Sequence, residues 1–245
     1  MTEAIESGDR RKRAELIAEE IESRIVDAGW PIGQIIGSET SLIDEFEVSR
    51  GVLREAVRLL EHHSTAYMRR GPGGGLVVTA PEAGAVRRAA ALYLRYRRAD
   101  VNTLVEARRV LELNCLDLVA QRIRDPQVVT RLGRVLDAEV GATKAAGSTR
   151  YLRGFHLELA SLSGNPAIGL FAEILMELQS DFTDEPRRAP TDQAALAKDA
   201  NASHRAHRAI YRALIEGDPD RARSAMSKHL TAISTWTAEH AYHLE

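Results

Sequence analysis

Apolar positions along the chain fall into two regimes. From Arg10 to Ala28, Leu16, Ile17, Ile21, Ile25 and Val26 recur at helical spacing. Gly29 and the run Trp30-Pro31-Ile32-Gly33 predict a stop and a tight connection. A second helix is predicted after Ser38, with Leu42, Ile43 and Phe46 facing inward. Glu47-Val48 reads as a turn, and Ser49 caps a third helix reaching about His62. Two short extended runs, Tyr67–Arg70 and Leu76–Thr79, then flank Gly71-Pro72-Gly73-Gly74-Gly75, the strongest breaker cluster of the chain, and together they predict a β-hairpin. Past a linker at 80–82 the pattern is helical throughout, over 82–98, 102–124, 126–146, 150–163, 166–181, 198–216 and 219–242. Asp125-Pro126, Asn165-Pro166 and Asp218-Pro219 supply helix starts by cap plus proline. The span Phe182–Ala197, with Pro186 and Pro190, is predicted as a loop. No internal repeat is visible. The expected fold is mainly α, with a small head at 10–79 and an all-helical bundle at 82–242.

A length of 245 residues with 44% hydrophobic content supports a core in each of two such domains. Cys115 is the one cysteine, which excludes an intramolecular disulfide framework and suits a reducing cytosol. The segment 1–13 is polar and charged, without the apolar stretch of a signal peptide, and no apolar run approaches a membrane span. The expectation is a cytoplasmic protein with no membrane partner. Net charge is −2, and residues 1–80 carry 10 Lys or Arg against 14 Asp or Glu. General basicity therefore lends no support to nucleic-acid binding, and only the placement of the charges can favour it.

They are segregated on the third helix. At 100° per residue, Val52, Leu53, Ala56, Val57, Leu59 and Leu60 share one arc, while Arg50, Arg54 and Arg58 line the opposite side at i, i+4 and i+8. One face can pack on the first two helices while the other presents three guanidiniums to phosphates and base edges. Ser49 at the helix start can offer its hydroxyl and nearby N–H groups to a phosphate. The hairpin adds Arg69 and Arg70 beside Gly71, where a bare backbone can approach a groove closely. Acidic residues concentrate on the first two helices, which predicts one positive face on an acidic head. Three arginines alone also describe an ordinary solvated helix face; the order of helix, helix and wing distinguishes the two readings.

The stretches Ile36–Leu42 (IGSETSL), Val48–Leu60 (VSRGVLREAVRLL) and Arg70–Val78 (RGPGGGLVV) resemble the winged helix-turn-helix of the GntR family of regulators, over about 14–79. The resemblance implies DNA contacts at Arg50 and Arg54 and at the Arg70-Gly71 wing tip. Thr40 stands where many members carry Arg, so the operator sequence read is expected to differ. The remainder resembles the FCD ligand-binding domain of the FadR subfamily, over about 82–240. Its marks are Arg108–Glu112, Phe155-His156 before Ser163-Gly164-Asn165, His207–Ile210 before Gly217-Asp218, and Met226–Leu230.

His156, His207 and His229 lie on three different predicted helices, and facing helices of a bundle can bring such side chains together. Imidazoles suit zinc and related divalent transition metals. The resemblance implies that the three are metal ligands, joined in the family by an Asp one turn before the first; here Leu152 holds that position. Without a metal the three histidines would be a hydrogen-bonded polar cluster or would meet an effector directly. Arg108 is suited to an effector carboxylate, or alternatively pairs with Glu112 on a helix surface. The expected function is a ligand-responsive, homodimeric repressor on a palindromic double-stranded operator, released by a small carboxylate or acyl thioester. The alternatives are a metalloenzyme or metal sensor using the three histidines, for which no general base stands out, and a pure interaction bundle, which leaves the arginine face and wing unexplained.

Overall fold

The computed structural model describes residues 2–81, 83–145, 153–183 and 193–240, with side chains over 10–81, 83–140, 153–181 and 198–238. They form two compact units, Met1–Ala85 and Val86–Glu245.

In the first unit α1 (Thr2–Asp27), α2 (Glu39–Phe46) and α3 (Arg50–His63) precede the antiparallel strands β1 (Ala66–Arg69) and β2 (Gly75–Val78). Helix α1 begins well before Arg10, where the apolar period begins. Ser38 caps α2 by accepting from the Ser41 N–H at 3.0 Å, and Ser49 caps α3 by accepting from Val52 at 3.4 Å. The turn between them closes at Glu47 in the left-handed region, φ 50°. Ile17, Ile21 and Ile25 of α1 meet Leu53, Ala56 and Leu60 of α3, with Leu42 and Leu76 closing the core. Each such aliphatic side chain contributes roughly 1.5–3 kcal/mol on leaving water. The strand register pairs Ala66 with Val78 and Arg69 with Gly75, and Ile35 bridges to Val77 as a third extended element. The Trp30 indole donates to the Thr79 carbonyl at 2.7 Å, tying the end of α1 to the end of the hairpin.

The hairpin glycines are used in two ways. Gly71 takes φ +96° with open space where a side chain would stand, so the tip stays thin. A Cβ on Gly74 would lie 2.3 Å from the Arg69 carbonyl oxygen. This glycine serves the hairpin's own closure, not approach to a groove.

The second unit is helical among its described residues: α4 (Gly84–Tyr96), α5 (Val101–Gln121), α6 (Pro126–Ala145), α7 (Arg153–Leu162), α8 (Pro166–Thr183), α9 (Gln193–Ile215) and α10 (Pro219–His240). The cap-plus-proline starts occur as expected from their chemistry. Asn165 accepts from Ala167 and Ile168, Asp218 from Arg221 and Asp125 from Gln127, each at a backbone N–H. α5 runs between α7, α8 and α10, and α9 pairs with α10 and α6. Leu116, Val119, Leu132, Phe155, Leu159, Met176, Ile210 and Met226 fill the interior. The loop predicted over Phe182–Ala197 is shorter at both ends, because α8 reaches Thr183 and α9 starts at Gln193. The residues between those ends, Pro186 and Pro190 included, lie outside the described residues.

Candidate functional site

Two sites emerge, one in each unit. On the head, α3 buries Val52, Leu53, Ala56, Val57 and Leu60 and leaves the opposite side free. Arg50 and Arg54 are each 65% exposed at the side chain and Arg58 75%. Their charges are not unopposed. Glu39, in the first turn of α2, stands 3.2 Å from the Arg54 Nε and 3.8 Å from the Arg50 Nε, while Glu55 pairs with Arg58 at 2.9 Å. The expected clean segregation of acid away from the arginine face is therefore corrected, since Glu39 sits within it. Thr40 is exposed beside Glu39. The Ser49 oxygen accepts from Val52 as a cap, which leaves its O–H proton to donate outward. Arg70 is exposed beside Gly71. Arg69 turns back and donates to the Gly73 carbonyl at 2.9 Å. That bond braces the wing tip from an exposed guanidinium.

In the bundle, α7, α9 and α10 bring His156, His207 and His229 together. All three are buried, and their Nε2 atoms form a triangle with sides of 3.2, 3.1 and 2.9 Å. The Nδ1 of His156 donates to buried Glu112, and the Nδ1 of His207 donates to buried Glu139 at 2.8 Å. His204 also donates to Glu139, at 2.9 Å. Burial drives the histidines toward the neutral form: His156 is lowered, His207 falls to about 3 and His229 to about 2. A neutral imidazole that donates from Nδ1 has only a lone pair at Nε2. Where both carboxyls are ionised, the Nε2 atoms of His156 and His207 therefore face each other at 3.1 Å with no proton between them. A single proton on His229 cannot relieve that pair. A cation at the centre can. Zinc–nitrogen bonds of about 2.0–2.1 Å put neighbouring ligand nitrogens about 2.9–3.4 Å apart, depending on coordination geometry. The triangle has that size, and a carboxylate on the far nitrogen of a ligand histidine is the usual second support. The donor set thus fits a divalent transition metal without the Asp that Leu152 replaces, and Leu152 itself lies outside the described residues.

Arg108 is neither on the surface nor free. It pairs with Glu112 in the interior and donates through Nη1 to the Gln179 amide oxygen at 2.8 Å, and Gln179 donates on to Thr237 at 2.7 Å. The surface ion pair of the sequence reading is therefore corrected to a buried one. Burial opposes charge on Glu112, but Arg108 and then His156 outweigh it and hold the carboxyl below its usual range. Burial dominates at Glu139 and raises it to about 7. The triad and Arg108 line a cavity of about 500 Å³ walled by α5, α7, α8, α9 and α10, kept open by alanines such as Ala202, Ala206 and Ala232. That volume is in the range of small-molecule sites, about 300–1,000 Å³.

The sequence of the head matches the description "Bacterial regulatory proteins, gntR family" over residues 13–78, and the bundle matches "FCD domain" over residues 103–232. The chain belongs to the GntR family, with a C-terminal FCD domain. Among curated GntR relatives, the HTH-type transcriptional repressor NanR of Escherichia coli is 29% identical over 237 residues, spanning 94% of this chain and 86% of its own. The NanR of an Enterobacter species is 27% identical over 235 residues, spanning 94% and 87%. The solved Streptococcus agalactiae GntR superposes with a TM-score of 0.66 at 25% identity, over 91% of this chain and 99% of that one. As a GntR member with an FCD domain, the chain is a DNA-binding transcription regulator with a small-molecule effector domain, and the enzyme alternative falls away. No described helix is long and apolar enough to cross a membrane.

Glu139, Gln179 and Thr237 are not singled out by sequence, where His204 reads as an ordinary lone histidine. Glu139 leaves one trace there, a lone carboxylate among the inward positions of α6, near buried Leu132 and Leu136.

Proposed function

We propose that this chain is a homodimeric repressor of the FadR subfamily, released from a palindromic operator when a small carboxylate or acyl-type metabolite enters the bundle cavity. The observation that carries the proposal is the Nε2 triangle of His156, His207 and His229, backed by Glu112 and Glu139 and open to a cavity of about 500 Å³. On this reading those three histidines hold a zinc-class ion, which when bound supplies Lewis-acid positions for carboxylate oxygens. Glu112 and Glu139 fix the ring orientations, Arg108 holds Glu112 in place, and the alanine-lined wall keeps the ligand in a largely apolar space. Arg50, Arg54 and Arg58, Ser49, Thr40 and the Arg70-Gly71 tip read the operator, with Arg69 shaping the tip.

Two features support the finer statements. The relatives are named as repressors. Helix α4 has no buried residue and exposes Leu92, Tyr93 and Tyr96 at 72, 57 and 80%. Such an apolar face suits a second copy of the chain, whose two heads would each read a half-site. The location is taken as the cytoplasm, beside the DNA. Native mass spectrometry with metal analysis tests the reading. One zinc-class ion per chain, lost in His207→Ala, is expected. A metal-free wild type that still responds to a carboxylate would overturn the metal part, and release by metal alone would favour a metal sensor.

A further inference from the structure

The cavity has a second polar end that neither the histidines nor Arg108 explains. Asp199 on α9 lines it, as does Trp236 on α10, and the indole N–H donates to Asp199 Oδ2 at 3.1 Å. Among the described residues no cation pairs with Asp199 and its second oxygen, Oδ1, has no partner. A carboxylate in a largely apolar pocket with an accepting oxygen unused is a site for a donor. The spacing can be read from the helices. Asp199 lies eight residues before His207 and Trp236 seven after His229, and these two helices pack together. At 1.5 Å per residue both intervals come to roughly 10–12 Å, about two turns. The acceptor thus stands at one level of the cavity and the triad at another.

We infer that the effector is an anion of two polar ends: an acidic group for the histidine end and a hydroxyl or ammonium donor for Asp199, separated by a chain of about four or five atoms. The length follows by subtraction. A metal–oxygen contact of about 2 Å and a hydrogen bond of about 2.8 Å take up some 5 Å of the interval, leaving roughly 6–7 Å within the ligand. Trp236 orients Asp199 and closes the wall beside it. A plain alkanoate of the same length leaves the half-buried Asp199 carboxylate unmatched, and a site built to accept from a ligand donor discriminates strongly against the analogue that lacks it. The inference deepens the carboxylate-sensor reading and rests on it.

The test is calorimetric titration of the zinc-supplemented full-length protein with pentanoate, 5-hydroxypentanoate and 5-aminopentanoate. At least one donor-ended acid is expected to bind about tenfold or more tighter than pentanoate. That ratio is expected to collapse toward unity in Asp199→Asn and to shrink in Trp236→Phe, with unchanged melting temperatures as the check on folding. The comparison of hydroxyl with ammonium identifies which donor the site takes. Equal binding of all three acids, or tighter binding of pentanoate, overturns the inference while the carboxylate reading stands. Binding of none of them overturns both.

Discussion

Replacing Glu112 by Gln removes the negative charge between two buried partners. Arg108 and Glu112 are one turn apart on α5, with side chains 6% and 1% exposed, and His156 beside them is 2% exposed. Taking away one partner of a buried ion pair leaves an uncompensated charge, a loss of about 3–5 kcal/mol. For a domain of this size, about 2–4 °C per kcal/mol gives a fall of roughly 6–20 °C in the melting temperature. Gln179 can still accept from Arg108, which argues for the lower half of that range. The control is Arg87→Ala. Its pairs with Glu177 and Asp181 are partly exposed, and breaking them is expected to cost about 0–1 kcal/mol. A double change, Arg108→Met with Glu112→Leu, removes both charges and is expected to cost less than Glu112→Gln alone. The same Glu112→Gln protein is expected to hold zinc about 10–100-fold more weakly, because the Nδ1 acceptor of His156 is weakened. Thermal unfolding by circular dichroism and a zinc competition titration read the two effects. A melting temperature within about 2 °C of wild type, or a double variant less stable than Glu112→Gln, would show that Arg108 and Glu112 do not act as a buried pair.

The other expectations concern the operator and pH. Arg50→Ala and Arg54→Ala are each expected to weaken operator binding by about 1–3 kcal/mol in fluorescence anisotropy while unfolding stays within about 1 kcal/mol of wild type, since the pairs they make with Glu39 are exposed. Glu39→Gln removes a carboxylate from the same face. At about 6 Å from a phosphate in water that charge is worth about 0.7 kcal/mol, so non-specific DNA affinity is expected to rise about threefold, and no rise would place Glu39 away from the DNA. In the metal-free protein His207 and His229 are lowered from 6.5 to about 3 and about 2, so the unfolded chain binds more protons below 6.5 and stability falls on acidification. Glu139, raised from 4.5 to about 7, works in the opposite sense: its contribution is full below 4.5 and is lost as pH rises through 7. The two nearly cancel above about pH 6 and the histidines dominate below about pH 4.5, where each has lost more than about 2 kcal/mol. Urea midpoints between pH 4 and 8 check this, and stability that climbs steadily toward pH 4 would contradict it.

Periodicity made most of the fold legible. The buried arc of α3, the proline-started helices and the hairpin all follow from residue spacing and cap chemistry, which act locally. The convergence of His156, His207 and His229 was legible because each sits on a separate helix of a bundle. What the sequence left hidden are pairings across elements. Arg69 looks like its neighbour Arg70 until the tip folds and a carbonyl at Gly73 comes within reach. Arg108 reads as a free guanidinium because the acid one turn away also fits a surface pair, and only packing shows that α7 and α8 cover both. Glu139 and Asp199 are ordinary helix carboxylates in sequence. Their significance comes from an imidazole and an indole on other helices.

Operator binding measured with and without metal decides whether an ion held by the histidines couples the effector to the heads. Anisotropy with DNA from the chain's own upstream region would be followed as the tightest of the three pentanoate-type acids is added to zinc-loaded protein, to chelated protein and to His229→Ala. A rise in Kd of about 5–150-fold is expected for the zinc-loaded wild type alone, the usual size of an allosteric coupling. Equal release from the chelated protein, or from His229→Ala, would contradict it.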